Sequence, residues 1–143
     1  MLFPLLNNQK YLNKVEKFDN QKIDINFDLL RDLPINLLFD NATYANVITG
    51  VKANLFEPFL EADDHREIKN KIIIQRSYRY RNDLINYKFL NQYNDIFFVG
   101  TVEEFEDLKK EVKNLNFYDC KDFLDMASVV KSSRFIIANS SIT

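Results

Sequence analysis

Three groups of residues have types and spacing that could do chemistry. Arg76, Ser77, Arg79 and Arg81 follow one apolar run, and Asn139, Ser140 and Ser141 follow another. Glu103 and Glu104 stand just past Gly100. The first two groups suit an anion. A guanidinium offers a planar fork of donors to phosphate, and small hydroxyl and amide side chains add neutral donors. Brought together, they would hold a diphosphate, with exposed backbone N–H groups helping. The plainer alternative is local. Arginines after a strand are often solvated or paired with carboxylates such as Asp83, and Asn–Ser tips are ordinary turn and cap chemistry. Glu103 and Glu104 could act as acid or base, but carboxylates favoured in the first turn of a helix explain both. Asp28, Arg31 and Asp32 form a second polar cluster, read as a surface turn.

Several chemistries are disfavoured by counting. Cys120 is the only cysteine and His65 the only histidine, so an intrachain disulfide is impossible and a Cys/His zinc site is nearly excluded. Cys120 reads as a small residue beside a strand end, and a chain without disulfides fits a reducing, cytoplasmic compartment. His65 lies in a charged stretch and reads as a solvated linker residue. Only Gly50 and Gly100 are glycine, about 1.4% of 143 residues against roughly 7% on average. A G-x-G-x-x-G loop and a P-loop both need more glycines than any one place holds. The net charge of −2 offers no global attraction to nucleic acid or an anionic membrane. No uncharged apolar segment is long enough to cross a membrane as a helix.

The elements that must position these residues are short apolar runs. Lys71–Arg76, Asp95–Val99, Leu115–Tyr118 and Phe135–Ala138 are rich in Ile, Val and aromatics and are separated by helix-like segments. That alternation predicts βαβ units and a parallel sheet, an α/β fold with flanking helices. A short helix is expected over Asp83–Asn91, burying Leu84, Ile85, Tyr87 and Leu90. Thr101 with Glu104 forms a capping-box pattern for a helix carrying Phe105, Leu108 and Val112 inward. Asp122–Lys131 is a further helix, with Phe123, Leu124, Ala127 and Val130 at core spacing. If strand order is 3-2-1-4, the first and fourth strands are neighbours, and Arg76 meets Asn139, Ser140 and Ser141 at one crevice with Gly100 beside it.

The first half of the chain is less regular. Residues Asn7–Phe18 show helical spacing at Tyr11, Leu12, Val15 and Phe18. Ile23, Ile25 and Phe27 alternate with polar residues as an edge strand would. Leu29–Leu33 stops at Pro34, and Ile35–Phe39 is another apolar run. A helix from Asp40 or Asn41 ends at Gly50. Leu55–Leu60 reads as a loop packed on the core. Glu61–Asn70 is almost wholly polar and reads as a linker, which divides the chain into 1–66 and 67–143.

The runs Ile72-Ile73-Ile74-Gln75-Arg76-Ser77-Tyr78-Arg79-Tyr80, Ile96-Phe97-Phe98-Val99-Gly100-Thr101 with Glu104-Phe105, Asp122 to Ala127 and Phe135 to Ser141 resemble the donor half of heptosyltransferase-like glycosyltransferases of the GT-B fold. The resemblance covers residues 71–141. It implies an incomplete, Rossmann-like nucleotide-sugar-binding lobe, preceded by a mostly helical remnant of an acceptor-side lobe. It implies transfer of a sugar from a nucleotide donor to a carbohydrate acceptor, with no metal and no other cofactor. Arg76 and Arg79 would face the diphosphate or the interlobe cleft, and Asn139, Ser140 and Ser141 the phosphate loop. Ala138 stands where that group usually has glycine, and the strands that would follow are missing, so the chain is expected to be a fragment, a truncated gene product or a degenerate relative of such an enzyme. The alternative is a non-catalytic Rossmann-like binding or interaction module, self-associating through an open sheet edge.

Overall fold

The computed structural model describes residues 2–26, 28, 46, 49, 50, 52 and 58–139. They fall into two compact units, 1–15 with 60–143, and 16–59. The larger unit holds a four-stranded parallel sheet: β1 (Ile72–Gln75), β2 (Ile96–Phe98), β3 (Leu115–Phe117) and β4 (Phe135–Ala138), in the spatial order β3-β2-β1-β4. Three α-helices accompany it: α1 (Phe3–Asn7), α2 (Val102–Lys109) and α3 (Phe123–Ser132).

Strand parity decides the layers, because successive side chains leave a strand on opposite faces. Ile72, Ile74, Ile96, Phe98 and Leu115 pack with Phe105 and Leu108 of α2, with Val112, and with Tyr87 and Leu90. Ile73, on the other face, packs with Val99, Ile68 and Val129 of α3. Burial on both faces is why the strands read as unbroken apolar runs. The chain winds outward from β1 to β2 to β3 on the α2 face. It then returns through α3 on the opposite face to place β4 beside β1, so strand order reverses between β1 and β4.

Both long helices have sequence-encoded starts. Thr101 Oγ1 accepts from the Glu104 N–H and the Glu104 carboxylate accepts from the Thr101 N–H, the expected capping box. Asp122 caps α3 by accepting from the Leu124 and Asp125 N–H groups. Within α3, Val129 is the fully buried residue, while Phe123 and Val130, expected inside, lie exposed at its two ends.

Several expected elements differ. The helix over Asn7–Phe18 is absent. One turn, Phe3–Asn7, forms with Pro4 at its start, and Gln9 then turns its amide back onto the Leu5 carbonyl. Tyr11, Leu12 and Phe18 are exposed, so no packing rewards a helix there. Ile23 and Ile25 are half-exposed and belong to no strand. The helix over Asp83–Asn91 is replaced by 3-10 turns at Tyr78–Tyr80 and Tyr87–Gln92. Asn82 and Asn86 accept from the N–H two residues on, and Asn91 and Gln92 donate back to the carbonyls of Lys88 and Phe89. Such side-chain bonds compete with helical ones. Tyr87 and Leu90 are buried as expected, but Leu84 and Ile85 are not.

The expected linker 61–70 is a strap packed along α3. Ile68 is buried, the Lys131 ammonium donates to the Ala62 carbonyl at 2.6 Å, and the Asn70 N–H donates to the Ser132 carbonyl at 2.9 Å. The unit boundary accordingly falls near 60, and residues 1–15 belong with the sheet. Phe59 and Leu60 are exposed, not packed. In the 16–59 unit, Asn46 and Thr49 are helical and Gly50, at φ +71°, donates to the Asn46 carbonyl at 2.8 Å, the expected helix stop. The readings over 29–45 and 53–57 lie outside the described residues, as does Phe27.

Candidate functional site

The carboxyl ends of β1 and β4 form one rim. Gln75 is level with Ala138, and the Asn139 N–H donates to the Gln75 carbonyl at 3.3 Å. The Asn139 amide then bridges to the other strand's exit: Nδ2 donates to the Ser77 carbonyl at 2.8 Å, and Oδ1 lies 3.4 Å from the Ser77 N and Oγ. Two segments separated by 62 residues therefore meet, as the expected strand order requires. Ser140 and Ser141 lie outside the described residues.

Arg76 is at the rim by backbone and inside the protein by side chain. It keeps 2% of its surface exposed. Its guanidinium stands over the Tyr87 ring, and Nη2 donates to Asp107 Oδ2 at 2.5 Å. Residues 72, 74 and 76 share one strand face, and that face looks onto α2, where Asp107 stands. The expected diphosphate contact is thus occupied by an internal carboxylate. Asp107 also accepts from Arg81 at 2.8 Å and Lys110 at 3.3 Å. The hydrogen bond from Arg76 above all, with help from Lys110 and Arg81, holds its carboxyl below the usual carboxylate range. The Arg76 Nε is buried with no hydrogen-bond partner among the described residues. Arg79 is exposed, with its guanidinium 5.1 Å from the centre of the Tyr80 ring.

Gly100 and Glu104 are used by the fold. A Cβ on Gly100 would fall 2.7 Å from Phe98 Cε1, and its φ of +154° suits few side chains. Glu104, 8% exposed, accepts from the Tyr78 N–H at 2.9 Å besides capping α2. It ties the loop after β1 to the start of α2. Glu103 is exposed, in the first turn, as read from the sequence.

The sequence reasoning missed a second polar cluster. His65 is not solvated: only 15% of its side chain is exposed, and Nε2 lies 2.7 Å from the Tyr118 hydroxyl and 3.6 Å from Asp125 Oδ1. Nδ1 accepts from the Ile68 N–H at 3.3 Å, which assigns the proton to Nε2, and Tyr118 in turn donates to Asp125 at 3.3 Å. Burial, then the charge of Asp125, pushes the Tyr118 phenol up to about 12. Burial likewise pushes the Cys120 thiol up to about 12, which suits a packed residue and not a nucleophile. No local pattern links His65 to Tyr118 across 53 residues, so nothing in the sequence announced the contact.

A recess of about 480 Å³ lies elsewhere, lined by Asn8, Lys10, Glu61, Asp63 and Lys131. It sits by the last turn of α3, which leads into the start of β4, so it is at the other end of the sheet from the rim. Its cations are engaged: Lys10 pairs with Glu61 at 2.8 Å and Lys131 with Asp64 at 3.3 Å. Among the described residues, no group of three His, Cys, Asp or Glu could hold a metal ion. No helix among them is long and apolar enough to cross a membrane. Comparison with models of known families, with curated proteins and with solved structures finds no match for this chain.

Proposed function

We propose that the rim where β1 and β4 end binds a nucleotide sugar. In this reading the chain is part of a GT-B-like, metal-independent glycosyltransferase that passes the sugar to a carbohydrate acceptor. The supporting observation is the strand order β3-β2-β1-β4, which reverses between β1 and β4. Open parallel α/β sheets bind ligands outside the carboxyl ends of their strands at such a reversal. The residues for the task are those whose side chains remain at the rim. Arg79 would neutralise the diphosphate, with Ser77 and Asn139 shaping the rim through their mutual hydrogen bonds. Ser140 and Ser141 follow Asn139 in sequence. Arg76, Gly100 and Glu104 would support the rim from beneath.

One observation favours a second reading, a non-catalytic Rossmann-like binding or interaction module. Four of the expected contact residues, Arg76, Gly100, Glu104 and Asn139, are committed to internal bonds or packing. Calorimetric titration with UDP-, GDP- and ADP-sugars separates the two. Saturable binding that weakens at least tenfold in Arg79→Ala, with an unchanged melting temperature, supports the first. Absence of binding to any of the three by the folded protein overturns it and leaves the module.

A further inference from the structure

The connection between β1 and β2 is unusual for a parallel sheet, because it contains no α-helix, only 3-10 turns. Several of its apolar side chains are held outward. Leu84 is 92% exposed, and Tyr80, Ile85 and Phe89 are about half exposed. The loop is nevertheless anchored. Tyr87 and Leu90 are buried at its base, the Tyr87 N–H donates to Glu111 Oε2 at 3.1 Å, and Arg81 donates to Asp107 at 2.8 Å. Asn82 and Asn86 fasten the turns between these anchors. The exposure of Leu84 and Phe89 is therefore built by the loop's own hydrogen bonds.

The charge of this loop opposes that of the chain. Residues 78–93 contain Arg79, Arg81 and Lys88 against Asp83, a surplus of two positive charges, while the whole chain carries −2. Asp83 is itself paired with Arg81 at 2.7 Å, which leaves Arg79 and Lys88 as the exposed cations. A partner for this loop should be anionic at its surface and apolar just below.

We propose that the 78–93 loop docks on an anionic lipid surface. Leu84 and Phe89 enter the acyl boundary, Tyr80 lies at headgroup level, and Arg79 and Lys88 meet the lipid phosphates. Shape favours a bilayer over a peptide. Leu84 projects from the loop, whereas a bound helix or strand needs a groove to fill. Charge disfavours a second copy meeting the same loop, because the two cationic surfaces would repel. The proposal stands apart from the nucleotide-sugar reading and does not depend on it.

The test is co-sedimentation of the full chain with phosphatidylcholine vesicles, with and without about a third phosphatidylglycerol. Binding is expected only with the anionic lipid, and it should fall with added salt. Each basic residue near the surface contributes roughly fivefold, so Lys88→Glu should weaken partitioning about fivefold or more. Leu84→Asp alters a side chain that touches little of the protein, so it should keep the melting temperature while partitioning drops at least about tenfold. Absence of binding by the folded chain overturns the proposal, as does equal binding to both vesicles or binding unchanged in Leu84→Asp. A concentration-dependent dimer that Leu84→Asp abolishes, without vesicle binding, assigns the loop to a second copy instead and also overturns it.

Discussion

Replacing Asp107 by Asn should destabilise this protein far more than the loss of an exposed ion pair would. Arg76 lies inside with 2% of its surface exposed, and Asp107 Oδ2 at 2.5 Å is its carboxylate partner. Asparagine keeps the shape and removes the charge, leaving a buried guanidinium uncompensated. Breaking a buried pair from one side costs about 3–5 kcal/mol. The lower end applies, because the Asp107 side chain is 21% exposed and water can reach the vacated position. Losing the contacts to Arg81 and Lys110 adds little, since exposed pairs contribute about 0–1 kcal/mol. A loss of about 3 kcal/mol, with a urea slope near 1.5 kcal/mol/M, lowers the unfolding midpoint by about 2 M. Far-ultraviolet circular dichroism follows it directly. The double variant Asp107→Asn with Arg76→Met removes the stranded charge and should recover at least about half the loss. The folded state holds the Asp107 carboxyl below its ordinary value of 3.8. The unfolded chain therefore binds the proton first as pH falls, so the charge-linked stability is present above that value and is lost below it. The gap between wild type and Asp107→Asn should narrow below about pH 4. A midpoint within about 0.3 M of wild type at neutral pH would refute the reasoning, as would a double variant no better than the single.

Three further outcomes are expected. Gly100→Ala should cost about 1–3 kcal/mol, since its Cβ would meet the Phe98 ring at 2.7 Å; a thermal melt checks this. Cys120 should resist iodoacetamide. Its thiol is raised from 9.0 to about 12, so the thiolate fraction near neutral pH is about a thousandfold below that of the unfolded chain, as timed mass spectrometry of native and urea-unfolded protein would show. His65→Ala removes the acceptor of the Ile68 N–H and the partner of Tyr118, so it should cost about 1–3 kcal/mol and speed proteolysis within residues 60–70; a digestion pattern identical to wild type would contradict the strap.

What could be read without coordinates was the part set by local rules. Four apolar runs, the Thr101–Glu104 box and the stop at Gly50 each depend on a few adjacent residues, and each formed as expected. The order of the strands was readable one step further, through handed crossovers that leave few alternatives. The failures came where side chains chose distant or competing partners. Asn82, Asn86, Asn91 and Gln92 bond to nearby backbone and displace a helix that Leu84, Ile85, Tyr87 and Leu90 would otherwise encode. His65 looked solvated because its neighbours in sequence are charged, yet its partners Tyr118 and Asp125 arrive from β3's exit and α3.

Arg76 differs from those cases, because the signal that places it was present in the sequence. Ile72, Ile74 and Arg76 alternate, and although β1 ends at Gln75, Arg76 keeps the inward direction of the two residues buried beneath α2. Asp107 lies one turn beyond Glu103 on a helix whose inward residues, Phe105 and Leu108, flank it. Residues at the tip of a parallel strand thus divide by parity. Those continuing the buried face anchor the loop, as Arg76 does through Asp107. Further along the loop Arg79 is exposed, while Ser77 is bonded to Asn139 across the rim. In the proposed reading, ligand contact at this reversal falls to residues past Arg76, Arg79 foremost. Removing Arg76 and removing Arg79 probe different properties: the first tests whether the sheet stands, the second whether its edge binds anything.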